Sequence, residues 1–281
     1  MEQGIADHHG LARSLFCMAS RKEPQAESRA RLSAPEVYQK IRAEGEEELA
    51  RPNASLWWSG VGAGFAVAAS VVAETALHDK LPDSGWRPFI ESFGYSVGFV
   101  IVIIGRIQLF TENTITPILP LMAAPSSKLF FKTVRLWLIV FSANVVGAVL
   151  SALLAYYGYF TVSQMHSAIA VAEPLAHTGW LQMMLKGIPA GFLIASIVWM
   201  TPNSRGFEIW VIVMATYIIA VGGYTHVVVG SVEVSMLFFA GQMSLFNSIF
   251  VFLIPAFIGN VLGGSVLFSL LAYGQVRREI H

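Results

Sequence analysis

The sequence predicts an all-α membrane protein of six transmembrane helices arranged as a 3+3 inverted repeat, with helices two and five broken. Three observations predict it. The first is composition: 55% of the 281 residues are hydrophobic and 13% charged, with a mean hydropathy of +0.60. A soluble chain carries about a quarter charged residues, so lipid must cover surface that polar groups here cannot. The second is a series of six apolar runs, each near the roughly 20 residues that span a hydrocarbon core. The third is the placement of Lys and Arg, which concentrate on alternate loops.

Residues 1–32 show little periodicity and read as a disordered cytoplasmic tail. The segment 33–54 opens with Ser33, Pro35 and Glu36, a capping-box start with proline in the first turn. Val37, Ile41 and Leu49 then mark a sparse apolar stripe among charges. This predicts an amphipathic helix over 34–51 lying on the membrane surface, with a solvated helix as the alternative. A six-helix transmembrane domain fills 55–275, and 276–281 form a cytoplasmic tail. Its first run, about 56–77, is rich in Gly and Ala, which let membrane helices approach closely. The second starts near Phe93, breaks over 109–116 and resumes to Met122. The third spans 133–157 and the fourth 181–200. A fifth starts near Phe207, breaks over 222–230 and continues to Ala240, and the sixth covers 249–273. Trp57, Trp58, Trp86 and Trp180 fall near the ends of these runs, as interfacial anchors do.

Basic residues crowd the N-terminal segment, which holds eight of the eighteen Lys and Arg, and recur at Lys128, Lys132, Arg135, Arg205, Arg277 and Arg278. The opposite loops hold only Lys80 and Arg87. Both termini therefore face the cytoplasm, as six crossings require. The two breaks sit at corresponding places in the two halves, which suggests an inverted repeat with a site at the midplane. Non-helical backbone survives at that depth only where protein or a water-filled cavity satisfies it.

Several function classes are excluded. The formal net charge is zero, so nucleic acid is not a partner, and the lone Cys17 excludes an intrachain disulfide and a Cys-based metal cluster. No phosphate-binding glycine loop, His-Glu-x-x-His motif, aspartate dyad or Ser-His set is present at a common depth, so an intramembrane enzyme is not indicated and no cofactor is expected. His226 is the one histidine in an apolar run, where it can relay a proton or only satisfy loop backbone. Arg106 lies near the midplane, where an unpaired charge is costly. Glu112 and Glu233 are its plausible partners, in an ion pair that braces the breaks around Asn113; a selectivity charge is the other role open to it. Lys186 and Glu74 read as interface residues near the outer helix ends.

At the breaks the chain resembles the formate/nitrite transporter family, in a divergent branch of it. The likeness rests on 93–99 running into Leu109-Phe110-Thr111, on Asn144-Val-Val-Gly147, on 194–200, and on Ile254-Pro255 through Gly259-Asn260 to Gly263-Gly264. It covers about 50–275. The resemblance implies an aquaporin-like homopentamer in a bacterial inner membrane, each protomer a channel for a small monovalent anion or its conjugate acid, formate and nitrite among them. It further implies a constriction at Leu109, a Thr111 hydroxyl bonded toward His226, and apolar constrictions at Tyr95, Phe99, Ile194 and Ile219. Thr225 stands where the family usually has an acidic residue, Gly191 and Gly230 stand for asparagines, and the outer lysine's place falls near Leu175. Lacking that fixed positive charge, the outer vestibule also fits a small neutral solute. A scaffold with a blocked pore is a remaining alternative.

Overall fold

The computed structural model describes residues 31–280; the tail expected over 1–32 therefore lies almost wholly outside the described residues. Helix α1, Ala34–Ala50, starts as its sequence dictates: Glu36 Oε2 accepts from the Ser33 backbone N–H and from the Ser33 hydroxyl, each at 2.7 Å. Its apolar stripe does not lie on lipid. Val37, Tyr38, Ile41 and Leu49 are buried against the protein, and α1 packs on α5 (Ile118–Ala123) and α12 (Ser269–Val276). A stripe this sparse is fully consumed by that contact, so the helix caps one end of the membrane domain.

Among the described residues, five stretches are long and apolar enough to cross a membrane. They are Asn53–Lys80 (α2), Arg87–Ile104, Ser127–Tyr159, Trp180–Asn203 and Asn247–Val276. The second of these contains the short helix α3, Arg87–Glu91, and the half-helix α4, Ser96–Ile104. The third is α6, Ser127–Leu154, extended by a π-helical turn; the fourth is α8, Trp180–Met200. In the last, two π-helical turns flank α11, Ile254–Val261, before α12. Around the second break stand two shorter apolar helices, α9, Glu208–Val221, and α10, Val227–Phe239. The sequence reading missed α7, Val162–Ala176, although Thr161 and Gln164 form its capping box.

Tight pairs fix the frame. At Gly64 of α2 an added Cβ would lie 2.0 Å from the Asn144 carbonyl oxygen of α6, and at Gly191 of α8 it would lie 2.2 Å from that of Asn260 in α11. No side chain fits either gap, so only glycine allows backbones this close. α2 against α6 and α8 against α11 are thus built on the same contact.

The first half-helix ends earlier than the hydropathy suggests, and the second ends where it does. α4 stops at Ile104, five residues before the expected break at 109, with Arg106 at φ 52°; α9 stops at Val221, with Gly223 at φ 57°. Each closes as a Schellman motif, with Ile107 N–H donating to Val102 O at 3.2 Å and Tyr224 N–H to Ile219 O at 2.9 Å. The chain resumes helix at Val227, inside the stretch expected to stay open.

Candidate functional site

Two asparagines brace the two breaks in the same way. Asn144 accepts at Oδ1 from Phe110 N–H at 2.8 Å and donates through Nδ2 to Gly60 O and Gln108 O at 2.8 and 2.9 Å. Asn260 accepts from Val227 N–H at 2.9 Å and donates to Gly187 O and Thr225 O at 2.9 and 2.8 Å. A primary amide offers the acceptor and paired donors this requires, and each brace satisfies backbone that the missing helix leaves open. The residue enclosed by the first brace is Leu109; the residue enclosed by the second is His226.

His226 is buried at the N-terminus of α10, where its Nδ1 accepts from Val229 N–H at 3.3 Å. That acceptor role places the proton of a neutral ring on Nε2. Nε2 lies 2.8 Å from Thr111 Oγ1, so the ring donates to Thr111 and leaves the threonine hydroxyl hydrogen free for another acceptor. The Phe99 ring meets the imidazole edge-on at 4.9 Å between centroids, with Tyr95 beside Phe99. Thr225 is buried too, but its hydroxyl faces Met183 Sδ at 3.4 Å and makes no bond to His226.

Two cavities approach this centre from opposite ends. One, of about 460 Å³, lies under α1 and is lined by Glu44, Glu48, Arg106, Gln108, Glu112 and Thr116 among others. The other, of about 380 Å³, reaches His226 and is lined by Glu74, Tyr95, Lys186, Thr225 and Glu233 among others. Phe99, Leu109, Ile194 and Ile219 line neither; all four are fully buried in one apolar cluster with Tyr95.

The expected brace between Arg106 and Glu112 or Glu233 is not formed. The Arg106 side chain is 78% exposed, and its guanidinium lies 3.6 Å from Glu44 of α1. Glu112 and Glu233 line different cavities, so one arginine cannot serve both. The physical reason is the early end of α4, which turns Arg106 out of the membrane domain and into the cavity under α1. Glu74, expected at an interface, is buried. Asn113, in the first break, is held by other partners: its Nδ2 donates to Glu48 at 3.0 Å, and its backbone oxygen accepts from Trp137 at 2.8 Å.

Glu48 is the residue the sequence reading missed. It reaches from α1 into the first break, where it accepts from Gln108 Nε2 at 3.1 Å, from Asn113 Nδ2 at 3.0 Å and from the Thr116 hydroxyl. Burial pushes its carboxyl above the usual range, against the opposing pull of those three donors. Nothing separates Glu48 from the neighbouring Glu44, Glu46 and Glu47 in the sequence alone. The two asparagines did leave a signal, because amides are scarce inside membrane helices and each is followed by Gly three residues later.

The chain is 35% identical to the inner membrane protein YfdC of Escherichia coli (strain K12) over 245 residues, covering 87% of this chain and 79% of that one. A solved structure described as an FNT family ion channel superposes with a TM-score of 0.77 at 21% identity, over 86% of this chain and 99% of the other. A second, a pentameric formate channel with formate bound, gives 0.69 at 21% identity, over 80% and 98%. The fold is therefore that of this channel family. With a formate/nitrite transporter model matching residues 35–274, the chain belongs to the formate/nitrite transporter family, a family of membrane transporters and channels.

Proposed function

We propose that this protein is a pore for a small monovalent weak acid of the formate or nitrite type, crossing as the anion or its conjugate acid. His226 and Thr111 form the polar midpoint between apolar constrictions at Phe99, Leu109, Ile194 and Ile219. The observation that carries this reading is the free hydroxyl hydrogen of Thr111, fixed by the 2.8 Å bond from His226, at the centre of two opposed cavities. A carboxylate or nitrite oxygen accepts such a hydrogen, and a neutral acid traverses the apolar collars at far lower cost than its anion. The shared pattern of the Asn144 and Asn260 braces supports six crossings in an aquaporin-like 3+3 inverted repeat, with segment five completed by α9 and α10. Similarity to an inner membrane protein of Escherichia coli supports a bacterial inner-membrane location, and loop charges support cytoplasmic termini, which makes the cavity under α1 the cytoplasmic one. The similarity to a structure titled a pentameric formate channel supports a homopentamer. A second reading, a pore for a small neutral solute, is favoured by one observation: the cavity on the far side sets Glu74, Glu91 and Glu233 against the single lysine Lys186, a wall poorly suited to gathering anions.

Stopped-flow flux in proteoliposomes tests the proposal, with formate, nitrite, acetate and urea compared from about pH 5 to pH 8. Weak-acid flux should rise as pH falls and drop about tenfold or more in His226→Ala. Urea flux indifferent to pH and to the substitution, without weak-acid flux, would replace this reading by the neutral-solute pore.

A further inference from the structure

Two carboxyl groups that line the cavity on the far side from α1, those of Glu74 and Glu233, receive no hydrogen bond from the described residues. Glu74 is 6% exposed, its Oε2 is fully enclosed, and that atom has no hydrogen-bond partner. Glu233 lines the same cavity from α10, and among the described residues it makes no hydrogen bond or ion pair. Lys186 lines the cavity as well and forms no ion pair with either carboxyl. Glu91, the third acid there, is already engaged by His78 at 2.9 Å and by Arg87. Aromatic rings of Phe89, Tyr95 and Tyr224 complete the wall.

We propose that this cavity binds a small monovalent nitrogen cation, ammonium or methylammonium, between Glu74 and Glu233. A carboxylate offers acceptors only, so an occupant that brings N–H donors and a positive charge lets these two acids ionise inside the membrane domain, where an unpaired charge is costly. A hard divalent metal wants six or more oxygen ligands in a cage, and no cluster of three or more metal-ligating side chains exists among the described residues. Directional N–H donors match two carboxyls, and aromatic faces attract the same cation. Glu233 stands two turns along the helix that begins at His226. A cation held there adds to the positive charge of Lys186, close to the path of an entering anion. The site goes beyond the weak-acid reading and does not depend on it.

Equilibrium binding of radiolabelled methylammonium to the full-length protein in nanodiscs tests the site, at constant ionic strength set with sodium chloride. Saturable binding is expected, displaced by ammonium and not by sodium or urea, and weakened about tenfold or more in Glu74→Gln and in Glu233→Gln. Lys186→Met, which removes the built-in competing cation, should tighten it. Absence of saturable binding to the wild-type protein overturns the proposal whatever the variants do. So does displacement by sodium, or binding that survives both glutamine substitutions in protein whose gel-filtration profile is unchanged. Because no flux is measured, loss of the weak-acid reading leaves this result standing, and the converse holds.

Discussion

The two breaks share a skeleton and differ in what they enclose. Each follows a half-helix closed by a left-handed residue, and each is held by one asparagine through one accepted and two donated hydrogen bonds. At the enclosed position the first break has Leu109 and the second has His226. A second difference lies at the rim: Glu48 of α1 reaches into the first break, while the second opens on a cavity lined by Glu233 and by Glu74, whose buried Oε2 has no partner. The braces are an answer to backbone physics and must therefore be alike. The enclosed side chains and rims answer to the solute, and they are free to diverge.

If the braces are equivalent, Asn144→Ala and Asn260→Ala should cost the same. Either substitution orphans one N–H and two carbonyls in buried backbone, a loss on the order of 3–5 kcal/mol. Denaturation in detergent, followed by circular dichroism, would measure both. Comparable losses sharpen the comparison, whereas a large loss at Asn260 beside a small one at Asn144 breaks it, by showing that Glu48 and its partners can hold the first break alone.

The Glu48 latch gives a smaller effect with a definite pH dependence. Its folded carboxyl titrates above its unfolded value because burial opposes the charge. The stability this contributes is complete below the ordinary carboxylate range and is lost as pH rises through the raised value. Hydrogen exchange across Ala34–Ala50 should therefore show protection that declines with rising pH, by about 1–2 kcal/mol at most. Glu48→Gln should flatten that decline. The second break, with no such latch, should keep its protection over the same range; parallel pH profiles at both breaks would remove the asymmetry.

Much of this was legible in the sequence, for reasons that also set the limit. Hydropathy marks where lipid must be met, so the long helices are found to within a few residues. His226 and Thr111 stand out because polar groups in apolar runs need a reason. The boundaries of the breaks were less accurate: a Schellman closure on Gly223 can be read from its glycine, but the same closure on Arg106 cannot, because arginine rarely takes positive φ. That one conformation carries Arg106 toward Glu44 in the cavity it shares with Glu112, and leaves Glu233 in the other cavity. The fate of an amphipathic stripe is equally hidden, since Val37, Tyr38 and Ile41 would look the same against lipid as against α5 and α12.

The left-handed position is where the two breaks can be compared most finely. A residue with a Cβ pays roughly 1–2 kcal/mol there, and glycine recovers that while losing more freedom on folding. Arg106→Gly also gives up the exposed contact with Glu44, which is worth about 0–1 kcal/mol. These contributions nearly cancel, so Arg106→Gly should change stability by less than about 1 kcal/mol, whereas Gly223→Arg should cost about 1–2 kcal/mol. Thermal unfolding of the two variants side by side measures the difference. A loss well beyond that range at Arg106→Gly would mean that the guanidinium holds α1 over the cavity and belongs to the latch with Glu48. A clear gain would mean that the contact with Glu44 contributes nothing, and that arginine is kept at a strained position for its charge in the cavity under α1.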